Sequence, residues 1–255
     1  MVDEEVNKIY SNEARVYWNL EYKTHGYRVV HNAGTEEKTE KLAEKEIDLF
    51  LFPTQKKCQE LLKDKENNPW PTFHKDFARK HKKITTYLKD LDKKIALDYG
   101  CGILGRYTFA LAKYFKQVYG VDVSTEAVIG AKTKKIKNGS KNTIFILNDG
   151  KKIPLSDKSV DFIFSNLVLQ HIGYKEINNL LVGEFSRIAK PGAVCRLEYF
   201  YAEDGSSGSE EAFSVVEGVG FSTEEIEILY AANNFKIVSV SNKHPYLWIT
   251  ATKGE

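Results

Sequence analysis

The run Ile95-Ala96-Leu97-Asp98-Tyr99-Gly100-Cys101-Gly102-Ile103-Leu104-Gly105 constrains this chain more than any other. A short apolar stretch stops at an aspartate and passes directly into glycines spaced G-x-G-x-x-G. The pattern predicts a buried β-strand, a tight turn and a helix starting behind it. Glycine has no Cβ, so backbone N–H groups at such a turn can approach a ligand closely. A nucleotide-like cofactor is the expected ligand. The spacing by itself is frequent by chance and does not say which one.

From Lys94 onward, strand and helix patterns alternate, as in a parallel α/β sheet. Strands are predicted at 94–99, 117–122, 143–147, 160–165, 192–201, 235–241 and 246–252. Helices are predicted at 104–115, 125–136, 174–189 and 222–233. Only Asn242-Lys243-His244-Pro245 separates the last two strands, too short a link for a parallel crossover. The expected fold is therefore α/β: a Rossmann-like, mostly parallel seven-stranded sheet with helices on both faces and a C-terminal antiparallel hairpin.

Residues 1–93 read differently, as a polar, lysine- and glutamate-rich helical extension. Glu36 to Phe52 spaces Leu42, Ile47, Leu49 and Phe50 as an amphipathic helix. Asn67-Asn68-Pro69-Trp70-Pro71 is a break, and helical spacing resumes from Phe73 to Leu91. The expected division is thus a 1–93 extension, acting as lid and substrate selector, and a 94–255 cofactor-binding domain.

Composition excludes several classes. A net charge of +2 implies no general affinity for polyanions. No apolar run reaches the roughly 20 residues that span a bilayer. The opening Met1-Val2-Asp3-Glu4-Glu5 is acidic, so no secretory leader is expected. Cys58, Cys101 and Cys195 form no C-x-x-C pair, so neither a metal site nor a disulfide scaffold is suggested. Three cysteines without a leader suit a reducing cytoplasm.

Two further strand ends carry acids. Asp122 ends the second strand, 22 positions after Gly100, where its two oxygens can accept both hydroxyls of a ribose. Alternatively, Asp122 or Ser124 caps the following helix. Asn148-Asp149-Gly150 ends the third strand. Asp149 could accept from an adenine amine there, or serve only the turn.

With these pieces together, residues 94–252 resemble the class I S-adenosylmethionine-dependent methyltransferases. The matching segments are Leu97 to Gly102, Val121-Asp122, Asn148-Asp149-Gly150, Ile153 to Asn166 and Arg187-Ile188-Ala189-Lys190-Pro191-Gly192-Ala193. The terminal hairpin matches as well. Two positions depart: Ile103-Leu104 puts two residues where the family's glycine motif has one, and Ala193 stands where glycine is common. The first departure leaves helix packing as the alternative role for Gly105.

The resemblance implies S-adenosyl-L-methionine as cofactor, with Asp98 and Gly100 near its amino-acid part, Asp122 at the ribose and Asp149 at the adenine. Asn166 and Leu167 would line the site at the end of the fourth strand. Cys101, Gly102, Val123 and Gly150 complete the candidate cofactor set. Trp18 joins it because Tyr17-Trp18-Asn19-Leu20-Glu21-Tyr22 resembles an aromatic N-terminal helix that folds over the cofactor. Packing of that helix against the core is the equal alternative.

Methyl transfer needs positioning and, for some acceptors, a base. His171 is the candidate by residue type, since imidazole titrates near neutrality; a packed, hydrogen-bonded histidine is the other reading. No N-P-P-[YF] pattern follows the fourth strand, which lowers a base-methylating role. From Leu197 to Phe235 there are nine acidic residues and no lysine or arginine. Glu198 and Tyr201 there, with Tyr17, are the candidate substrate contacts, suited to an amine or cationic acceptor; a solvated loop is the alternative. Residues 132–152 carry seven lysines and one acid, read as a solvated face rather than a nucleic-acid surface. The expected activity is methyl transfer to O or N of a small molecule, with no nucleic acid or membrane partner. An RNA or protein methyltransferase and a catalytically silent cofactor-binding protein are the alternatives.

Overall fold

A strand covered on both faces must carry apolar side chains at successive positions, one set to each side. In β1 (Ile95–Tyr99), Ala96 joins one buried cluster while Leu97 and Tyr99 join another. In β4 (Val160–Ser165), Phe162 and Phe164 face the first cluster and Ile163 the second. The result is a three-layer sandwich in this computed structural model, which describes residues 14–23, 35–52, 84, 87–203, 218–243 and 245–255. Tyr10, Tyr27, the Asn67–Pro71 break, most of the Phe73–Leu91 segment and Asp204, Glu210, Glu211, Phe213 and Glu217 lie outside the described residues.

In chain order the elements are α1 (14–23), α2 (Glu36–Leu51), β1, α3 (Arg106–Ala112), β2 (Gln117–Asp122), α4 (Thr125–Asn138) and β3 (Thr143–Leu147). There follow β4, α5 (Lys175–Ile188), β5 (Ala189–Tyr201), β6 (Gly220–Phe221), α6 (Thr223–Ala232), β7 (Phe235–Lys243) and β8 (Tyr246–Lys253). The sheet order is β3-β2-β1-β4-β5-β8-β7. Strands β1 to β5 are parallel, and β8 is antiparallel to both β5 and β7. The expected hairpin is therefore present, with its second strand inserted beside β5.

The sheet has an eighth strand that periodicity did not predict: β6, two residues long, pairs parallel with Phe200 and Tyr201 of β5. A two-residue strand is too short to show alternation. The helix expected at 104–115 is shorter, because Gly105 caps it in the left-handed region at φ +56.

Two motif segments of the second half act as staples. Arg187 donates to the carbonyls of Ile153 and Leu155 and to Asp157 and Glu184, pinning the loop before β4 onto α5. Asp161 accepts from Lys190 Nζ at 2.7 Å and from the Ile95 amide at 2.9 Å, tying β4 to both neighbours. These contacts hold the strand ends in register.

The two described N-terminal helices do different things. α2 is built into the sheet's core: Ala43, Ile47, Leu49, Phe50 and Leu51 share a cluster with Leu111, Phe162 and Trp248. Its partner is α3 with the turn that follows it, through Glu46–Tyr107, Asp48–Tyr114 and Glu44–Lys113 contacts. Lys134, one of the lysines of the 132–152 run, pairs with Glu36 and Glu40 of α2. α1 instead lies at the carboxyl ends of the strands. Asn19 Oδ1 accepts from the Ser124 hydroxyl at 2.8 Å and from the Glu126 amide at 3.3 Å, docking α1 onto the start of α4.

Candidate functional site

The order β2-β1-β4 places a switch in chain direction between β1 and β4, where open α/β sheets leave a crevice. A cavity opens there. Its wall takes Gly100 to Leu104 from the turn after β1, Asp122 and Val123 from β2, Asn166 to Val168 from β4, and Ala14, Trp18 and Tyr22 from α1. Arg106, Tyr107, Gly150, His171 and Ile172 complete much of the rest.

The glycine turn is held by its neighbours. The amides of Gly100 and Cys101 donate to the Val121 carbonyl at 2.7 and 3.0 Å. Gly102 donates to Asp122 Oδ2 at 2.9 Å, and Ser124 N donates to Asp122 Oδ1 at 2.9 Å. Asp122 is thus fixed by two N–H groups while still on the cavity wall, with lone pairs left for a diol. Burial pushes its pKa up, and those N–H bonds pull it back. The helix cap is Ser124, whose side chain accepts from Ala127 N, so capping does not require Asp122. Gly100 and Gly102 both have positive φ, +78 and +65. A Cβ at Gly100 would overlap the Val168 side chain, and one at Gly102 would meet the Tyr22 hydroxyl at 3.2 Å.

At the end of β4, Leu167 has φ +59, unusual for a branched residue. Its amide donates to Glu198 Oε2 at 2.7 Å. A strained backbone at a cavity edge, held by a buried carboxylate, is a common property of ligand clamps. Beside it, Asn166 Oδ1 is buried and accepts no hydrogen bond among the described residues. His171 also lines the cavity, flanked edge-on by Trp18 at 5.4 Å and Phe200 at 6.3 Å, with Gln170 Nε2 3.3 Å from its Nε2.

Of the residues singled out in the sequence, Trp18, Gly100, Cys101, Gly102, Asp122, Val123, Gly150, Asn166, Leu167 and His171 line this one cavity. Five others stand off its wall. Asp98 is buried beneath the turn and accepts from the Thr108 hydroxyl at 2.6 Å. Burial raises its pKa to about 7. Asp149 is exposed, and its carboxylate accepts from the Lys151 and Lys152 amides as a turn residue. Glu198 is spent on Leu167, and burial raises its pKa to about 8. Tyr17 packs edge-on against Trp18. Tyr201 donates its amide to the Pro245 carbonyl and packs against the core.

Sequence reasoning passed over Arg106 and Tyr107, and named Tyr22 only within the aromatic helix segment. Arg106 carried a signal: a cation as the first residue of a helix with no acid in its first turn runs against the helix dipole. Among the described residues, no group of three or more His, Cys, Asp and Glu side chains is placed to hold a metal. No described helix is long and apolar enough to cross a membrane.

Comparisons with known proteins agree with this geometry. Residues 97–197 match the family model described as a methyltransferase domain. Phosphoethanolamine N-methyltransferase 1 of Triticum aestivum is 30% identical over 142 residues, 48% of this chain and 28% of that protein. The malonyl-[acyl-carrier protein] O-methyltransferase of Hamiltonella defensa is 29% identical over 105 residues, 41% of this chain and 37% of that one. The match therefore spans only about a third of each relative's length. Among solved structures, the magnesium protoporphyrin IX methyltransferase of Synechocystis PCC 6803, with bound SAH, superposes with TM-score 0.61 at 15% identity. That match covers 96% of this chain and all of that one. A SAM-dependent methyltransferase from Aquifex aeolicus gives 0.51 at 22% identity, covering 86% and 98%.

Fold and cavity together define a nucleotide-cofactor-binding α/β domain of the methyltransferase class. Residues 97–197 carry a methyltransferase domain, and the cofactor this domain points to is S-adenosyl-L-methionine.

Proposed function

We propose that the protein transfers a methyl group from S-adenosyl-L-methionine to an oxygen or nitrogen of a small molecule. The observation that carries this reading is the fixed Asp122 carboxylate, on one cavity wall with the bare glycine turn, Asn166 and His171.

The residues fit the cofactor. Asp122 would accept the ribose hydroxyls, and Val123 with Ile103 and Leu104 offers an apolar bed to a flat base. The buried Asn166 Oδ1 would accept from an amino group that reaches it. When bound, S-adenosylmethionine supplies a methyl group on a sulfonium, ready for in-line displacement. The chain then has to orient the acceptor and exclude water. Trp18 and Tyr22 close the cavity from α1, which makes that helix the lid and selector, with residues 94–255 as the cofactor-binding domain. His171, held between Trp18 and Phe200, is the group placed to take a proton from the acceptor.

The acceptor is the coarser part of the proposal. One relative is named for N-methylation and another for O-methylation. An amine acceptor would draw on the acidic segment after β5. Glu198, inside β5 itself, is engaged by Leu167, so the support for an amine comes from the N-methylating relative. The buried cysteines, Cys101 and Cys195, are both free and suit a reducing cytoplasm.

The test is calorimetric titration of S-adenosylhomocysteine into the wild-type protein and Asp122→Ala. Binding to the wild type, lost or weakened at least roughly tenfold in the variant, is expected. Equal affinity overturns the ribose assignment. Cofactor binding without turnover on amine, phenol and acid panels would instead favour a silent binding protein.

A further inference from the structure

The polar lining of the cavity contains a cation that nothing above uses. Arg106 is 8% exposed and lines the cavity. A guanidinium has five N–H donors and is always charged. Yet Arg106 makes no hydrogen bond or ion pair among the described residues. The Tyr107 ring backs it, 4.8 Å from the guanidinium carbon to the ring centroid.

Acids lie near it without pairing to it. Glu46, Asp98 and Glu198 all feel the charge of Arg106. Asp98 is engaged by Thr108, Glu46 by the Tyr107 hydroxyl and Glu198 by Leu167. Burial raises the pKa of all three, that of Asp98 to about 7 and that of Glu198 to about 8. The other acid of the wall, Asp122, is bound by Gly102 and Ser124. A buried, unpaired charge is costly, and chains keep one where a ligand completes it.

We propose that Arg106 is the anion-binding residue of this cavity and receives the carboxylate or phosphate of a bound small molecule. A guanidinium fork matches either group in a two-point contact. The anion has two possible sources: the amino-acid carboxylate of the cofactor, or an acid group on the methyl acceptor. Tyr107, the next residue of α3, backs the guanidinium with its ring and is itself held by donating its hydroxyl to Glu46 of α2. Both sources rest on the methyltransferase reading, whereas anion binding at Arg106 does not.

The experiment titrates three probes into wild type and Arg106→Gln: S-adenosylhomocysteine, 5′-methylthioadenosine, which lacks the amino-acid part, and inorganic phosphate added to the S-adenosylhomocysteine complex. If the cofactor supplies the anion, the variant loses roughly tenfold or more in S-adenosylhomocysteine affinity and keeps its methylthioadenosine affinity. If the acceptor supplies it, S-adenosylhomocysteine binds both proteins alike and the variant loses phosphate binding. Equal binding of all three probes by both proteins overturns the proposal. Should the wild type bind no S-adenosylhomocysteine, the cofactor reading fails. Phosphate titrated into the free proteins then decides Arg106: loss in the variant supports it, and no difference overturns it. If Arg106→Gln melts early, Arg106→Lys carries the test. Lysine keeps the charge without the fork, so weaker anion binding at unchanged melting temperature is expected, and unchanged binding overturns the role.

Discussion

At Gly105 the backbone has φ +56, and a Cβ built there would lie 2.8 Å from the Phe145 ring. Phe145 is buried with Cys101, Val128 and Ala131 and packs edge-to-face on Phe109. Gly105 therefore serves the seating of α3 against β3, while Gly100 and Gly102 shape the cavity wall. Gly105→Ala combines a left-handed alanine with an overpacked ring, which costs about 1–3 kcal/mol. A urea midpoint lowered accordingly is the expected result; an unchanged one would mean the ring gives way freely. The same distinction explains the extra residue in the glycine motif. Both Ile103 and Leu104 line the cavity, so the lengthened turn adds apolar wall before the helix begins.

The two described helices of the N-terminal extension are joined to the domain in different ways. α2 buries Ile47 completely, among residues of α3 and the sheet. Ile47→Ala should lower unfolding stability by about 2–5 kcal/mol, as for other core truncations. A loss of a few tenths in urea unfolding would show instead that α2 is only laid on the surface. α1 is held by polar contacts at Asn19 and by aromatic rings over the cavity. The strands and most of the helices behind them were legible from alternation and turn residues, because a strand buried on both faces leaves a continuous apolar run. The ten cavity residues found in advance lie at strand ends, in turns or on the aromatic helix, where a motif marks them. Asp98 and Asp149 share those positions. Whether a strand-end carboxylate turns to the ligand or to its own backbone depends on side-chain rotation, which periodicity does not encode. Arg106 escaped notice because the groups that feel its charge, Tyr22, Glu46 and Glu198, are all distant in the chain.

Across the molecule, the acids behind the cavity give stability an unusual pH dependence. Asp98 and Glu198 have ordinary values of 3.8 and 4.5 and are raised by burial to about 7 and about 8 in the fold. Between those limits the native state holds protons that the unfolded chain has released. Their contribution is full below about pH 4 and is lost as pH rises through about 8. Glu198→Gln keeps an acceptor for the Leu167 amide but cannot ionise. Urea unfolding should show the variant gaining on the wild type between pH 5 and pH 8.5, by roughly 1 kcal/mol or more. Parallel pH profiles would mean that Glu198 titrates in the fold as it does in the open chain. The order of the sheet has its own consequence for biosynthesis. β8, the last strand in chain order, fills the slot between β5 and β7. A nascent chain that has emerged as far as β7 therefore holds β5 with an open edge, an edge prone to pair with other chains. Until Tyr246–Lys253 leaves the ribosome, the half-built sheet depends on protection from outside, and a message truncated there would yield a product inclined to aggregate.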